Sequence, residues 1–252
     1  MENLFTKIIE LKQAGVNSAL CTLTETTGSV PRKAGSKMIV TETGQIFGTV
    51  GGGNIEMQII VKAGRVIKTN SPAKFFFNLE ENLEMHCGGT VEVFIEPMKA
   101  RNELIIFGAG HVGMALARLA KTYGFNVVFA DDREALLMVA ESEGFATIKG
   151  DFVKAAEGLK TNEHTFLVVT TPKHKYDEAV TATLGKQQYK YLGMIGSRKK
   201  VALAATNFKE KYQLSDSQIE KIDMPIGIPF NAQTPEEIAI SILAKLIDVK
   251  NS

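Results

Sequence analysis

The sequence predicts an α/β chain, with a C-terminal Rossmann-like doubly wound parallel sheet preceded by a smaller α+β domain. Three observations predict it. From residue 103 onward, strand-like apolar runs alternate with helical ones. The run "ELIIF" (103–107) feeds directly into the glycine pattern "GAGHVG" and then a helix. Before residue 98, short strands follow one another through polar turns. The polar joint "EPMKARNE" (96–103) separates the two patterns and sets domains at 1–98 and 99–252.

In the first domain, Leu4, Ile8 and Leu11 at helical spacing predict a helix over 3–14. Strands are expected over 18–24, 36–41 and 45–50, a helix over 54–68, and strands over 73–79 and 90–96. Gly44 in "TETGQ" marks a hairpin turn, and Pro31 with Gly35 marks a long polar loop, "TETTGSVPRKAGS". In the second domain, "MALARLAKTYG" reads as a one-faced helix, and "FNVVFAD" as a strand ending in Asp131. Further strands are expected over 145–148, 165–170 and 189–194. The last helix opens at Thr234 as N-cap, with Pro235 at its first position and Glu237 closing a capping box.

Composition narrows the function. With 252 residues and 44% hydrophobic content the chain can bury substantial cores. A formal net charge of +1 offers no broad attraction to nucleic acid or to an anionic membrane, and no apolar run is long enough to span a bilayer. The N-terminus lacks the uninterrupted apolar stretch of a signal peptide, and two cysteines, Cys21 and Cys87, cannot make a disulfide framework. The expected location is the cytoplasm, and the expected ligands are small molecules. A homodimer is expected from the prevalence of symmetric dimers alone.

The candidate site residues fall on glycine-rich turns and strand ends. Gly108, Gly110 and Gly113 suit a tight turn, close approach of backbone to a pyrophosphate, and close helix packing. Asp131, about twenty residues on, stands where an acidic side chain accepts hydrogen bonds from a ribose. His111 sits inside the motif, either at the crevice or as a solvated loop histidine. Gly196, Ser197, Arg198 and Lys199 in "MIGSRKK" suit an anion at a helix start. His174, with Asp177, follows another strand end, either at the crevice or as a structural pair in a loop. In the first domain, Gly51, Gly52 and Gly53 can present amides to an oxyanion or pterin edge, with Glu56 one turn into the helix. Cys87 and Gly88, beside His86, place a thiol on flexible backbone, whereas Cys21 reads as a small buried hydrophobe.

Taken in order, "TGSVPRKAGSKMIV", "GTVGGGNIE", "CGGTVEVFIEP", "FGAGHVG", "LGMIGSRKK" and "QTPEEIAISILAKL" resemble the XdhC/CoxI family across nearly the whole chain. The resemblance implies a xanthine dehydrogenase accessory protein. Such a chaperone binds the molybdenum cofactor (molybdopterin), protects it during sulfuration by a separate donor such as a cysteine desulfurase, and inserts it into a molybdenum hydroxylase client. It implies a cofactor-binding maturation factor rather than a catalyst, so no catalytic residue and no protein-held metal is assigned. Asn54 stands where relatives carry cysteine after the three glycines, which leaves Cys87 as the candidate thiol. Under this reading Gly51–Gly53, Glu56 and Cys87 face the molybdenum–pterin end, and the second-domain turns take phosphate, including any nucleotide extension. A separate NAD(P) or other nucleotide in the second domain is equally compatible.

Three other functions are the rivals of this reading. Two cysteines cannot hold the four-cysteine iron–sulfur clusters of a xanthine dehydrogenase itself. An NAD(P)-dependent oxidoreductase, with His111 or His174 as proton donor, is the main alternative, and a non-catalytic docking module is the third.

Overall fold

The computed structural model describes residues 3–79 and 89–252. The chain divides into two compact units, Met1–Ala100 and Arg101–Ser252.

The first unit is an antiparallel sheet with a helix on each face. Its elements are α1 (Leu4–Gln13), β1 (Ser18–Gly28), β2 (Lys37–Thr41), β3 (Ile46–Gly48), α2 (Gly53–Thr69), β4 (Ala73–Asn78) and β5 (Gly89–Met98). The strand order is β3-β2-β1-β5-β4. Because side chains alternate along a strand, Ala19, Cys21 and Leu23 pack with Ile55, Ile59, Ala63 and Val66 of α2. Leu20 and Ile39 point the other way and cover Ile8 and Leu11 of α1. Burial pushes the Cys21 thiol up to about 12, so it stays protonated as a small core residue.

The first five residues of the stretch read as a long loop, 24–28, are strand, since β1 runs on to Gly28 and pairs Glu25 with Glu92, Thr26 with Val91 and Thr27 with Thr90. Polar side chains hide the alternation, and cross-strand polar contacts replace apolar ones: the Thr27 and Thr90 hydroxyls meet at 2.6 Å, and Lys74 pairs with Glu92 at 2.9 Å.

The second unit contains β6 (Glu103–Phe107), α3 (His111–Thr122), β7 (Asn126–Asp131), α4 (Glu134–Ser142), β8 (Ala146–Lys149), α5 (Phe152–Gly158), β9 (Thr165–Val169), α6 (His174–Leu184), β10 (Tyr191–Met194), α7 (Arg198–Glu210), α8 (Asp216–Ile219), β11 (Ile222–Asp223) and α9 (Pro235–Asn251). All strand pairs are parallel, in the order β11-β10-β9-β6-β7-β8. Renumbered from β6, this is the 3-2-1-4-5-6 order of dinucleotide-binding folds. Both faces are covered, which explains the continuous apolar runs of the strands. Leu104, Ile106, Phe166 and Val168 face one core with α3 and α9, while Ile105, Phe107, Leu167 and Val169 face the other with α5, α6 and α7. The box expected at Thr234 is present: the Glu237 amide donates to the Thr234 hydroxyl at 3.2 Å, and the Glu237 carboxylate accepts from the Thr234 amide at 3.1 Å. Among the described residues no helix is long and apolar enough to cross a membrane.

Candidate functional site

The strand order places a topological switch point between β6 and β9, where a crevice opens at the carboxyl ends of the strands. The three motif glycines there have different reasons to be glycine. A Cβ on Gly108 would strike the Thr170 carbonyl oxygen, and one on Gly113 would strike the Gly108 carbonyl oxygen. These two allow the chain to turn and α3 to lie close against it. A Cβ on Gly110 would meet no heavy atom of the described residues within 4 Å. Its bare backbone faces open space at the N-terminus of α3, which carries no side-chain cap. The helix begins at His111, three residues earlier than "MALARLAKTYG" suggests. His111 is exposed and lines an opening of about 390 Å³ together with Ala109, Gly110, Arg118, Arg133 and Glu236.

Asp131 does not serve as the ribose acceptor expected of it. It is fully buried. Oδ2 accepts from the Ala109 amide at 2.7 Å and from Arg133 Nη2 at 2.7 Å, while Oδ1 accepts from the Arg133 amide at 2.9 Å and from Arg133 Nε at 2.8 Å. Burial pushes its pKa up, but the Arg133 bonds and the two amides outweigh this and hold the carboxyl below its ordinary value. Its work is to tie the end of β7 to the glycine turn.

His174 and Asp177 lie in the first turn of α6 rather than in a loop. Asp177 accepts from the Thr171 amide at 2.9 Å and the Thr171 hydroxyl at 2.7 Å, which fixes the chain leaving β9. Burial pushes its pKa up to about 6, against the opposing pull of the Thr171 bonds, His174 and Lys200. His174 Nε2 stands 3.2 Å from Glu178 Oε1, and Nδ1 stands 3.9 Å from Asp177 Oδ2. Neither ring nitrogen is in hydrogen-bonding geometry with a partner among the described residues. Glu178 in turn accepts from the Asn207 side chain at 2.9 Å, joining α6 to α7.

A second opening, of about 660 Å³, lies beyond β10. Gly196 and Arg198 line it, so part of the predicted anion site borders a cavity. Ser197 caps α7 by accepting from the Lys200 amide at 3.4 Å, and Lys199 is exposed on the first turn. The remaining wall is largely apolar: Ile195, Ile226, Ile228 and Phe230. The loop carrying that wall is anchored. The Ile226 amide donates to the Met194 carbonyl at 3.0 Å, the Gly227 amide to Asp223 Oδ2 at 2.8 Å, and the Ser241 hydroxyl to the Ile228 carbonyl at 2.7 Å. Tyr191 also donates to Asp223, at 2.5 Å. The residues sequence reasoning missed are these, together with Arg133 and Arg118. The stretch "IGIPF" after a strand and the Asp-x-Arg spacing at the end of β7 are the signals that carry them.

In the first unit, the triple glycine turn is closed by the chain itself. The Glu56 carboxylate accepts from the Thr49 hydroxyl, from the Val50 amide at 3.0 Å and from the Gly51 amide at 3.3 Å. Burial raises its pKa, but the Thr49, Gly52, Val50 and Gly51 bonds together lower it below its ordinary value. Glu56 therefore takes up part of the amide nest expected to face a ligand, the Gly51 and Gly52 amides. Among the described residues, no heavy atom lies within 4 Å of a Cβ built on Gly52 or Gly53, which have φ of +79° and +64°. Cys87 and Gly88 lie outside the described residues.

Comparison with known proteins matches both halves. The XdhC and CoxI family model covers residues 11–78, and the XdhC Rossmann domain model covers residues 104–246. The uncharacterized protein YqeB of Escherichia coli (strain K12) is 32% identical over 265 aligned positions, which span 99% of this chain and 47% of that protein. A probable xanthine dehydrogenase subunit of Bacillus subtilis (strain 168) is 27% identical over 168, spanning 66% and 48%. The chain thus spans about half the length of these two relatives. A crystal structure of a xanthine dehydrogenase (BH1974) from Bacillus halodurans shares the fold, with a TM-score of 0.52 at 20% identity over 98% of this chain and 95% of that one. Two family models in register with the two units, each over its own stretch, establish that the chain belongs to the XdhC and CoxI family.

Proposed function

We propose that this chain binds molybdenum cofactor, holds it while its sulfur ligand is installed, and delivers it to a xanthine dehydrogenase-type molybdenum hydroxylase. The observation that carries the reading is the opening beyond β10. Its volume of about 660 Å³ suits a small-molecule site, its Ile195, Ile226, Ile228 and Phe230 wall suits a planar heterocycle, and Arg198 suits a phosphate. A molybdenum–pterin phosphate has both parts, and family membership supports that ligand over other phosphorylated rings.

The chain's own residues would bind and orient the cofactor. Arg198 and the free amides at the start of α7 would hold the phosphate, and Phe230 would cover the ring and exclude water from it. The bound group would supply oxygen-transfer and redox chemistry to the client enzyme, not to this chain. Cargo that must be released calls for moderate affinity, and the exposed rim of the site, with Phe230 about half exposed, is compatible with hand-off. A cysteine desulfurase as sulfur donor and a homodimer belong to the same proposal.

The experiment is reconstitution. Protein loaded anaerobically with molybdenum cofactor is mixed with an apo-hydroxylase of the xanthine dehydrogenase type, and activity is followed against free cofactor. Faster recovery with the loaded protein is expected. Recovery no faster than with free cofactor contradicts delivery.

A further inference from the structure

In a sheet of this order, the end of the second strand is where the adenosine ribose of a dinucleotide is read. A carboxylate there accepts from a free 2′-hydroxyl, and an arginine nearby accommodates a 2′-phosphate. Here the two residues have opposite availability. Asp131 is fully buried and takes four N–H groups, two on each oxygen, which is as many as a carboxylate accepts. It has no acceptor left for a hydroxyl. The Arg133 side chain is 39% exposed and spends Nε and one Nη2 hydrogen on Asp131, so three of its five N–H groups remain uncommitted to that carboxylate.

The bidentate grip fixes the guanidinium plane before any ligand arrives, which reduces the entropy lost on binding. Arg133 lines the 390 Å³ opening with Gly110 and Arg118, and Glu236 is the carboxylate on the same lining. Arg118 is held by Glu143 at 2.8 and 2.6 Å. The lining therefore presents two guanidinium groups, each already paired with a carboxylate, Arg118 with Glu143 and Arg133 with Asp131, beside the carboxylate of Glu236. Gly110 provides the independent test of fit. No neighbour within 4 Å explains its missing side chain, and its φ is ordinary, so the space above it is left for something that approaches backbone closely.

We infer that this opening takes the adenosine end of a dinucleotide carrying a 2′-phosphate, of the NADP(H) class, with Arg133 binding that phosphate and Asp131 positioning Arg133. The site is separate from the opening beyond β10 and goes beyond the cofactor-carrier reading.

Calorimetric titration of pterin-free protein tests it, using 2′,5′-ADP against 5′-AMP and NADPH against NADH. The 2′-phosphorylated member of each pair is expected to bind at least about tenfold more tightly, as a charge-assisted fork contact supplies. Arg133→Leu is expected to remove that advantage, because the variant loses the phosphate partner and frees Asp131 oxygens that can accept from the free 2′-hydroxyl of NADH or 5′-AMP. Arg133→Lys, which keeps the charge beside Asp131 and loses the fork, is expected to cut the advantage several-fold in protein that still melts cooperatively. Equal affinities, a preference for NADH or 5′-AMP, no binding by any of the four, or a preference that survives in a folded Arg133→Lys and Arg133→Leu would each overturn the inference. Pterin retention is measured separately, so failure here leaves the cofactor-carrier reading to its own test.

Discussion

The carboxylate of Asp131 and the guanidinium of Arg133, two residues apart, are joined by two side-chain bonds of 2.8 and 2.7 Å, and the same carboxylate holds the Ala109 amide at 2.7 Å. One buried charge thus connects the end of β7 to the turn after β6. Replacing it leaves a buried amide and an arginine without their partner. Asp131→Asn is expected to cost about 1–3 kcal/mol at pH 7, discounted for the part-exposed arginine. The folded pKa lies below the unfolded one, so this stabilisation is full above the ordinary aspartate range and is lost as pH falls through the folded value. Urea denaturation of both proteins should therefore show a gap at pH 7 that shrinks in acid.

Gly110 and Gly113 should separate binding from folding. Gly113→Ala forces a methyl into the Gly108 carbonyl and is expected to cost about 2 kcal/mol or more. Gly110→Ala meets nothing and should melt within about 0.5 kcal/mol of wild type, while NADPH binding weakens at least about tenfold. Thermal melts with titrations of both variants check the contrast. Equal destabilisation by the two would refute it.

Asp177 gives the opposite pH signature to Asp131. Its folded pKa, about 6, lies above its unfolded value, so the folded state holds the proton more tightly and stability from this group falls as pH rises from about 4 to about 6. Asp177→Asn keeps an oxygen for Thr171 and removes the buried charge. It should gain on the wild type by on the order of 2 kcal/mol between pH 4 and pH 7. Denaturation midpoints across that range test this, and parallel pH curves would contradict it.

Glu56 closes its own turn, so its removal should be felt as stability first. Glu56→Ala leaves the Val50 amide and the Thr49 hydroxyl without their acceptor, while the Gly51 amide keeps the Thr49 oxygen at 3.2 Å, and is expected to cost about 1–2 kcal/mol. A melt at wild-type temperature would show that the turn stands without it.

Much of the fold is legible in the sequence, and the misses have physical causes. The period of apolar residues points to the parallel sheet, and Thr234, Pro235 and Glu237 point to the last helix, because those features are local. The end of β1 is not legible, since Thr24–Thr27 form a polar strand whose pairing depends on β5, some sixty residues away. Asp131 and Glu56 stand out in the sequence, but their roles do not. Sequence places an acid near a glycine turn without saying that the turn's own amides and a neighbouring arginine reach it first. The opening beyond β10 is half visible, in Gly196 and Arg198, because its apolar wall comes from Ile226 to Phe230 and meets them only in the folded sheet.

The cofactor-carrier reading depends above all on the cavity beyond β10 holding a phosphorylated pterin. Anaerobic loading with molybdenum cofactor, followed by gel filtration and fluorescence of the oxidised pterin, measures this in wild type, Arg198→Ala and Phe230→Ala. Near-stoichiometric retention by the wild type is expected, with at least about tenfold weaker retention by each variant at unchanged melting temperature. No retention by the wild type, or full retention by both variants, would contradict it.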